Sequence, residues 1–218
     1  MLKGPHGNVK LDCSYANRNA NKKQFDMELV DTIVAVCRAV KGGILCFFPS
    51  YAMLTSLDTV RLKRELRGRK VRLCVGSSVY CLKIGGIQEV FTEPRQSGGL
   101  EGMFNDYRKV AQHPRAPCDG PLMLGVYRGK VSEGIDFADE MARCVIAVSI
   151  PFPNFKDQQV TQKRIFNDKM RMQNSKIIPG DKWYRMEGFR ALNQALGRLV
   201  FMVVVLGEWG IAVLMAVI

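Results

Sequence analysis

Lys41-Gly42-Gly43-Ile44-Leu45-Cys46-Phe47-Phe48-Pro49-Ser50-Tyr51 is the stretch that decides the fold. Its five consecutive apolar residues have the length of a strand and no polar alternation, the pattern of a strand covered on both faces in a parallel sheet. Gly42 and Gly43 stop the element before it, Pro49 ends the strand, and Ser50 is placed to cap a helix beginning near Tyr51. Upstream, Met27, Val30, Ile33, Val34, Cys37 and Val40 recur at intervals of three and four, one buried stripe of a helix. Downstream, Gln88 to Phe91, Pro121 to Val126 and Cys144 to Ile150 are strand candidates. Met103, Phe104, Tyr107 and Val110 mark a short helix, and further helices are expected around Asp157 to Met172 and Glu187 to Leu199. Strands alternating with helices build βαβ units, so the expected fold is α/β, a mostly parallel sheet with helices on both faces. The stretch from Arg61 to Ile87, basic and then broken by glycines, resists assignment.

The chain has 218 residues and neither an internal repeat nor a Pro/Ser-rich linker, so it reads as one unit: a lead-in over 1–24 and a domain over 25–218. Hydrophobic residues at 47% and charged residues at 24% exclude a disordered or low-complexity chain. Lys and Arg outnumber Asp and Glu by 32 to 20, and a net charge of +12 calls for a polyanionic partner. The basic residues gather between Arg61 and Arg72 and between Lys156 and Arg190, and none follows Arg198. Seven cysteines without a CxxC pair or a His/Cys cluster read as reduced core thiols, and no metal site is expected. With no apolar leader at the N-terminus, the expected compartment is reducing, cytosol or nucleus.

In open parallel sheets ligands bind at the carboxyl ends of the strands, so chemistry is sought in the loops after them. Arg128-Gly129-Lys130-Val131-Ser132-Glu133-Gly134-Ile135-Asp136-Phe137 comes after the strand at Pro121 to Val126. Its glycines permit close approach of a bulky anion, Arg128 and Lys130 supply charge, and Ser132 supplies a hydroxyl. Glu133 and Asp136 suit a metal-bound nucleotide, a ribose hydroxyl or an internal ion pair. The plainer alternative is a βα turn whose charges face water. In Gln194-Ala195-Leu196-Gly197-Arg198 the Gln and Arg share a helical face, and Gly197 leaves room beside them, so Arg198 can reach a γ-phosphate. Here the plainer alternative is an amphipathic helix with an incidental surface arginine.

Taken together, these segments resemble motifs of the XPD-like superfamily 2 DNA helicases. Arg128 to Phe137 resembles motif V, Gln194 to Arg198 motif VI, and Gly43 to Tyr51 motif IV. Ile150-Pro151-Phe152-Pro153-Asn154, Trp183-Tyr184 and Phe189-Arg190-Ala191-Leu192-Asn193 are similar to the Fanconi anaemia group J branch and its telomere-maintenance relative. The resemblance implies a RecA-like (P-loop NTPase-type) fold, the second of two motor domains that bind ATP between them and single-stranded or forked DNA across them. It implies that Arg198 and Gln194 act on the γ-phosphate, that Gly134 and Asp136 join them around the nucleotide, and that Ser50, Tyr51, Arg128, Lys130, Ser132 and Glu133 face DNA. ATP and Mg²⁺ would be shared with a first RecA-like domain that carries the Walker A loop, the DEAH box and an iron–sulfur cluster. Neither GxxxxGK followed by Ser or Thr, nor DEAH, occurs in this chain. The implied activity is helicase function in DNA repair in the nucleus, expected to be absent from this chain on its own; the alternative is a non-catalytic nucleic-acid-binding or regulatory fragment.

Phe201 stands where the resemblance implies a second motif VI arginine. The tail 199–218 has Glu208 as its only charge and is long enough to cross a bilayer, but Glu208 to Leu214 resembles an acidic-Trp-Gly turn before a buried strand. No membrane partner is therefore expected. The segments 61–87 and 199–218 are atypical of the family, and the expectation is that Val71 to Leu82 and Leu199 to Val205 are translated from non-coding sequence.

Overall fold

Ile44–Phe48 (β1) runs through the middle of a sheet, and all five of its residues are buried. In the computed structural model the described residues are 22–57, 73–75, 78–80, 89–95, 98–114, 119–131, 137, 141–196, 202–207 and 210–215. The basic segment 61–72 lies outside them.

The helix before β1 is Lys22–Ala39 (α1), and the one after it is Tyr51–Ser56 (α2). Gly42, at φ 94, turns the chain between α1 and β1 in a conformation that glycine adopts without strain. Leu73–Val75 (β2) and Ser78–Tyr80 (β3) fall in the stretch that resisted assignment. Glu89–Thr92 (β4), Leu100–Gln112 (α3), Pro121–Val126 (β5) and Cys144–Val148 (β6) match the elements expected from the apolar runs. Gln158–Gln173 (α4) and Gly180–Leu196 (α5) come next, and α5 begins two turns before the expected start at Glu187. Met202–Gly207 (β7) and Gly210–Met215 (β8) complete the described chain.

The strand order is β3-β2-β4-β5-β1-β6-β7-β8. From β2 through β7 every pairing is parallel, and antiparallel β3 and β8 close the two edges. Residues 202–207 of the apolar tail thus form a strand beside β6, with 210–215 paired antiparallel to it, and no described helix is long and apolar enough to cross a membrane.

Successive residues of a strand face opposite sides, so the apolar run of β1 feeds two cores. Ile44, Cys46 and Phe48 pack with Leu29, Ile33 and Cys37 of α1. Leu45 and Phe47 pack with Phe104 and Tyr107 of α3 and with Leu192 and Ala195 of α5. Helices therefore cover both faces. The sheet is locked to α3 by Tyr107, whose buried hydroxyl donates to the Met141 carbonyl. Gly43 lies against the same carbonyl, with its own oxygen accepting from Arg143 N and Cys144 N at 2.8 and 3.3 Å.

Cys37, Cys46 and Cys144 are free and buried together on the α1 face. Burial raises all three thiols above the ordinary value of 9.0, Cys144 to about 12, and it raises the Tyr107 phenol as well. Unfolding releases these protons at ordinary values while the folded chain retains them, so the unfolded state binds fewer protons above about pH 9 and stability falls as pH rises. Each group contributes a slope of up to about 1.4 kcal/mol per pH unit. Urea midpoints should be lower at about pH 10 than at about pH 8; equal midpoints would refute the burial of these groups.

Candidate nucleotide and nucleic-acid site

The carboxyl ends of β1, β4, β5 and β6 bring four loops to one edge of the sheet. Glu93, the residue after β4, organises them. It is 3% exposed, yet its Oε2 accepts from Val126 N at 2.8 Å and its Oε1 from Val131 N at 3.2 Å. The carboxyl thus holds both ends of the turn 127–130. Partial burial together with the nearby Glu93 carboxylate pushes the Tyr51 phenol up, against the opposing pull of Arg95. The Arg95 guanidinium lies 5.7 Å from the centre of the Tyr51 ring. Glycine is required beside the carboxyl, because a Cβ on Gly129 would stand 2.6 Å from Glu93 Oε1 and 2.7 Å from the Val126 carbonyl.

Ser50 caps α2, its Oγ accepting from Met53 N at 3.2 Å, as the sequence predicts. It is exposed, so its O–H remains available as a donor. Arg128 is exposed, with Nη2 donating to the Glu187 carbonyl at 3.0 Å and lying 3.8 Å from Glu187 Oε2. This guanidinium ties the loop after β5 to α5. Lys130 is half-buried one residue before Val131, at the end of the turn that Glu93 holds.

Arg128 and Ser149, at φ 57 and φ 64, are the only non-glycine residues with positive φ among the described residues. Both sit in strand-end loops, and Tyr127 joins them by donating its hydroxyl to the Ser149 carbonyl at 3.1 Å. Left-handed backbone costs a non-glycine residue about 1–2 kcal/mol and concentrates at functional sites. Ser149→Gly removes that cost and keeps the carbonyl, so it should stabilise the chain by about 1 kcal/mol. A thermal midpoint that falls instead would show that the serine side chain holds the turn.

Gln194 is exposed on α5, whose opposite side buries Ala191, Leu192 and Ala195 against the sheet. Ser132, Glu133, Gly134, Asp136 and Arg198 lie outside the described residues. The structure thus brings Ser50, Tyr51, Arg128 and Lys130 to one edge and places Gln194 on the helix that Arg128 grips. Among the described residues no three of His, Cys, Asp and Glu form a metal-ligand group. Sequence reasoning missed Glu93 and Arg95. Their signal was an acidic residue directly after a strand, in Thr92-Glu93-Pro94-Arg95, where loop ligands and loop anchors both collect.

Comparison with known proteins matches residues 33–200 to the helicase C-terminal domain. The Fanconi anemia group J protein homolog of Gallus gallus is 38% identical over 200 residues, 90% of this chain and 14% of that protein. The regulator of telomere elongation helicase 1 homologs of Aedes aegypti and Anopheles gambiae are 34% and 30% identical over 87% and 89% of this chain. The chain spans less than a fifth of the length of these relatives, 17% and 18% of the two mosquito proteins. The matched residues include every strand of the central sheet from β1 to β6 and all the loops that Glu93 and Glu187 draw together. The chain therefore belongs to the helicase C-terminal domain family, in its XPD-like branch, with the RecA-like fold of a second motor domain.

Proposed function

We propose that this chain supplies the C-terminal half of an ATP-dependent DNA helicase motor: the DNA-facing edge and one wall of the ATP site. The observation that carries this reading is the junction around Glu93, whose carboxyl holds both ends of the turn after β5, while Arg95 of the same loop lies over the ring of Tyr51 at the start of α2. Ser50, Tyr51, Lys130, Ser132 and Glu133 then face the strand, Tyr51 offering an aromatic face to a base, while Arg128 couples that loop to α5. In this reading Gln194 near the end of α5, with Arg198, Gly134 and Asp136, borders the nucleotide, where Arg198 offsets charge developing on the γ-phosphate. A tether from the DNA-facing loop to the nucleotide-facing helix is what a motor needs if closure on ATP is to alter its hold on DNA.

The lysine that cradles the phosphates and the carboxylates that hold Mg²⁺ belong in this reading to a first RecA-like domain, together with an iron–sulfur cluster. The chain alone is therefore a binding fragment without turnover, and Phe201 in place of a second arginine lowers turnover even beside a partner domain. The relatives named for telomere elongation and Fanconi anemia support a nuclear role in genome maintenance.

Two assays on the 218-residue chain test the reading. Single-stranded DNA should bind with an affinity that falls steeply with salt, and ATP hydrolysis should stay at the blank with saturating DNA. DNA-stimulated hydrolysis by the chain alone would refute the half-motor assignment, and absence of DNA binding would refute the DNA-facing edge.

A further inference from the structure

The loop after β6 and α5 build a row of aromatic rings. Phe152 stacks on Tyr184 at 5.6 Å with 12° between the planes. Phe189 meets the edge of Phe152 at 6.4 Å, and Phe155 meets Tyr184 at 5.7 Å. Gly188 permits this arrangement, because a Cβ there would come within 2.5 Å of the Phe152 ring. The Tyr184 hydroxyl donates to the Pro153 carbonyl at 2.9 Å, and Arg164 lies over Phe155 and Tyr184 at 4.3 and 5.4 Å. The inner rings are thereby fixed, while the end rings Phe155 and Phe189 stay 57% and 46% exposed.

The surroundings select one class of ligand. Between Lys156 and Arg190 the sequence holds nine Lys and Arg against four Asp and Glu. All four acids are engaged internally: Asp157 caps α4, Asp168 accepts from Gly180 N, Asp181 pairs with Arg164 and Arg185, and Glu187 pairs with Arg128 and Arg190. Lys156, Lys163, Lys169, Arg171, Lys176 and Lys182 have no ion-pair partner among the described residues. Helix α4 itself buries only Asn167. Exposed rings set in an uncompensated positive field suit a polyanion that carries π faces, which is single-stranded nucleic acid.

We propose that Phe155 and Phe189 are stacking points for bases of a single strand that extends past the loops after β1 and β5, with Lys156 and Lys163 beside its phosphates. The proposal rests on the DNA-binding reading above and adds a surface to it. Because the rings are positioned by their neighbours, stacking on them sacrifices little side-chain freedom.

Fluorescence anisotropy of labelled oligothymidylate with the full chain is the test. Phe155→Ala and Phe189→Ala should each weaken binding roughly tenfold without changing the salt slope, while Phe155→Trp and Phe189→Trp retain it. Lys156→Ala should lower the slope by about 0.7. If an alanine variant unfolds, photocrosslinking of iodouracil-substituted DNA to the unmodified chain replaces it, with adducts expected at residue 155 or 189. Unchanged affinity in both alanine variants, while Tyr51→Ala still weakens binding, would overturn the stacking track and leave the strand-end site standing. Failure of the unmodified chain to bind would overturn both. Loss of self-association in the ring variants at unchanged DNA affinity would assign the rings to a second copy of the chain and overturn the proposal as well.

Discussion

Replacing Glu93 by alanine is expected to destabilise the chain by about 3–5 kcal/mol and to weaken single-stranded DNA binding beyond what the loss of folded protein explains. The side chain is 3% exposed, and its removal leaves the buried donors Val126 N and Val131 N without their acceptor. Each orphaned buried donor costs about 1–3 kcal/mol, which supports the total. Glu93→Gln separates packing from hydrogen bonding. It keeps the volume and one acceptor but turns an amide NH₂ toward a backbone N–H, so it should lose about half as much stability as the alanine variant. Urea unfolding measures the first effect, and DNA titration at a denaturant-free concentration where all variants are folded measures the second. Equal DNA affinity across the three proteins would mean that Glu93 supports the core without positioning the loop.

Gly43→Ala is the second large effect, expected to cost about 3 kcal/mol or more. A methyl at this position would run into the backbone carbonyl of Met141 and stand 2.7 Å from the Tyr107 hydroxyl. Neither neighbour can yield cheaply. Tyr107 is fully buried and donates to that same carbonyl, and Gly43 O receives Arg143 N and Cys144 N at the start of β6. Making room would separate β1 from β6 at their amino ends and strain α3. The amino-terminal edge carries no candidate site residue, so the folded fraction of Gly43→Ala should bind DNA with unchanged affinity. The Glu93 variants should not, and that contrast is measurable on the same samples.

The central fold was legible because its signals are local. Ile44–Phe48 is apolar at every position, Gly42 and Pro49 punctuate it, and Ser50 caps the next helix, so strand, boundaries and helix start can be read from neighbouring residues. The start of α5 at Gly180 was not legible. Its first turns bury only Gly180 and Gly188, and the aromatic residues there pack on the loop after β6, so the apolar stripe appears only near Ala191. The tail 199–218 reads as an interruption in sequence, and an apolar stretch has no period by which a strand beside β6 could be told from a span. Ser50, Tyr51, Arg128 and Lys130 could be placed at the strand-end edge because they directly follow apolar strands whose ends are legible in sequence. Glu93 was missed because its importance depends on β4 lying beside β5, a neighbour relation set by the order of strands rather than by any local pattern.

Hydrogen–deuterium exchange of the chain with and without single-stranded DNA tests most directly the claim that the carboxyl edge of the sheet is the working surface. Slowed exchange is expected at Ser50, Tyr51 and residues 127–131, with Gly42, Gly43, Gly120 and Arg143 at the opposite edge unchanged. Protection confined to that opposite edge, or DNA bound with no protection in either strand-end loop, would contradict the account.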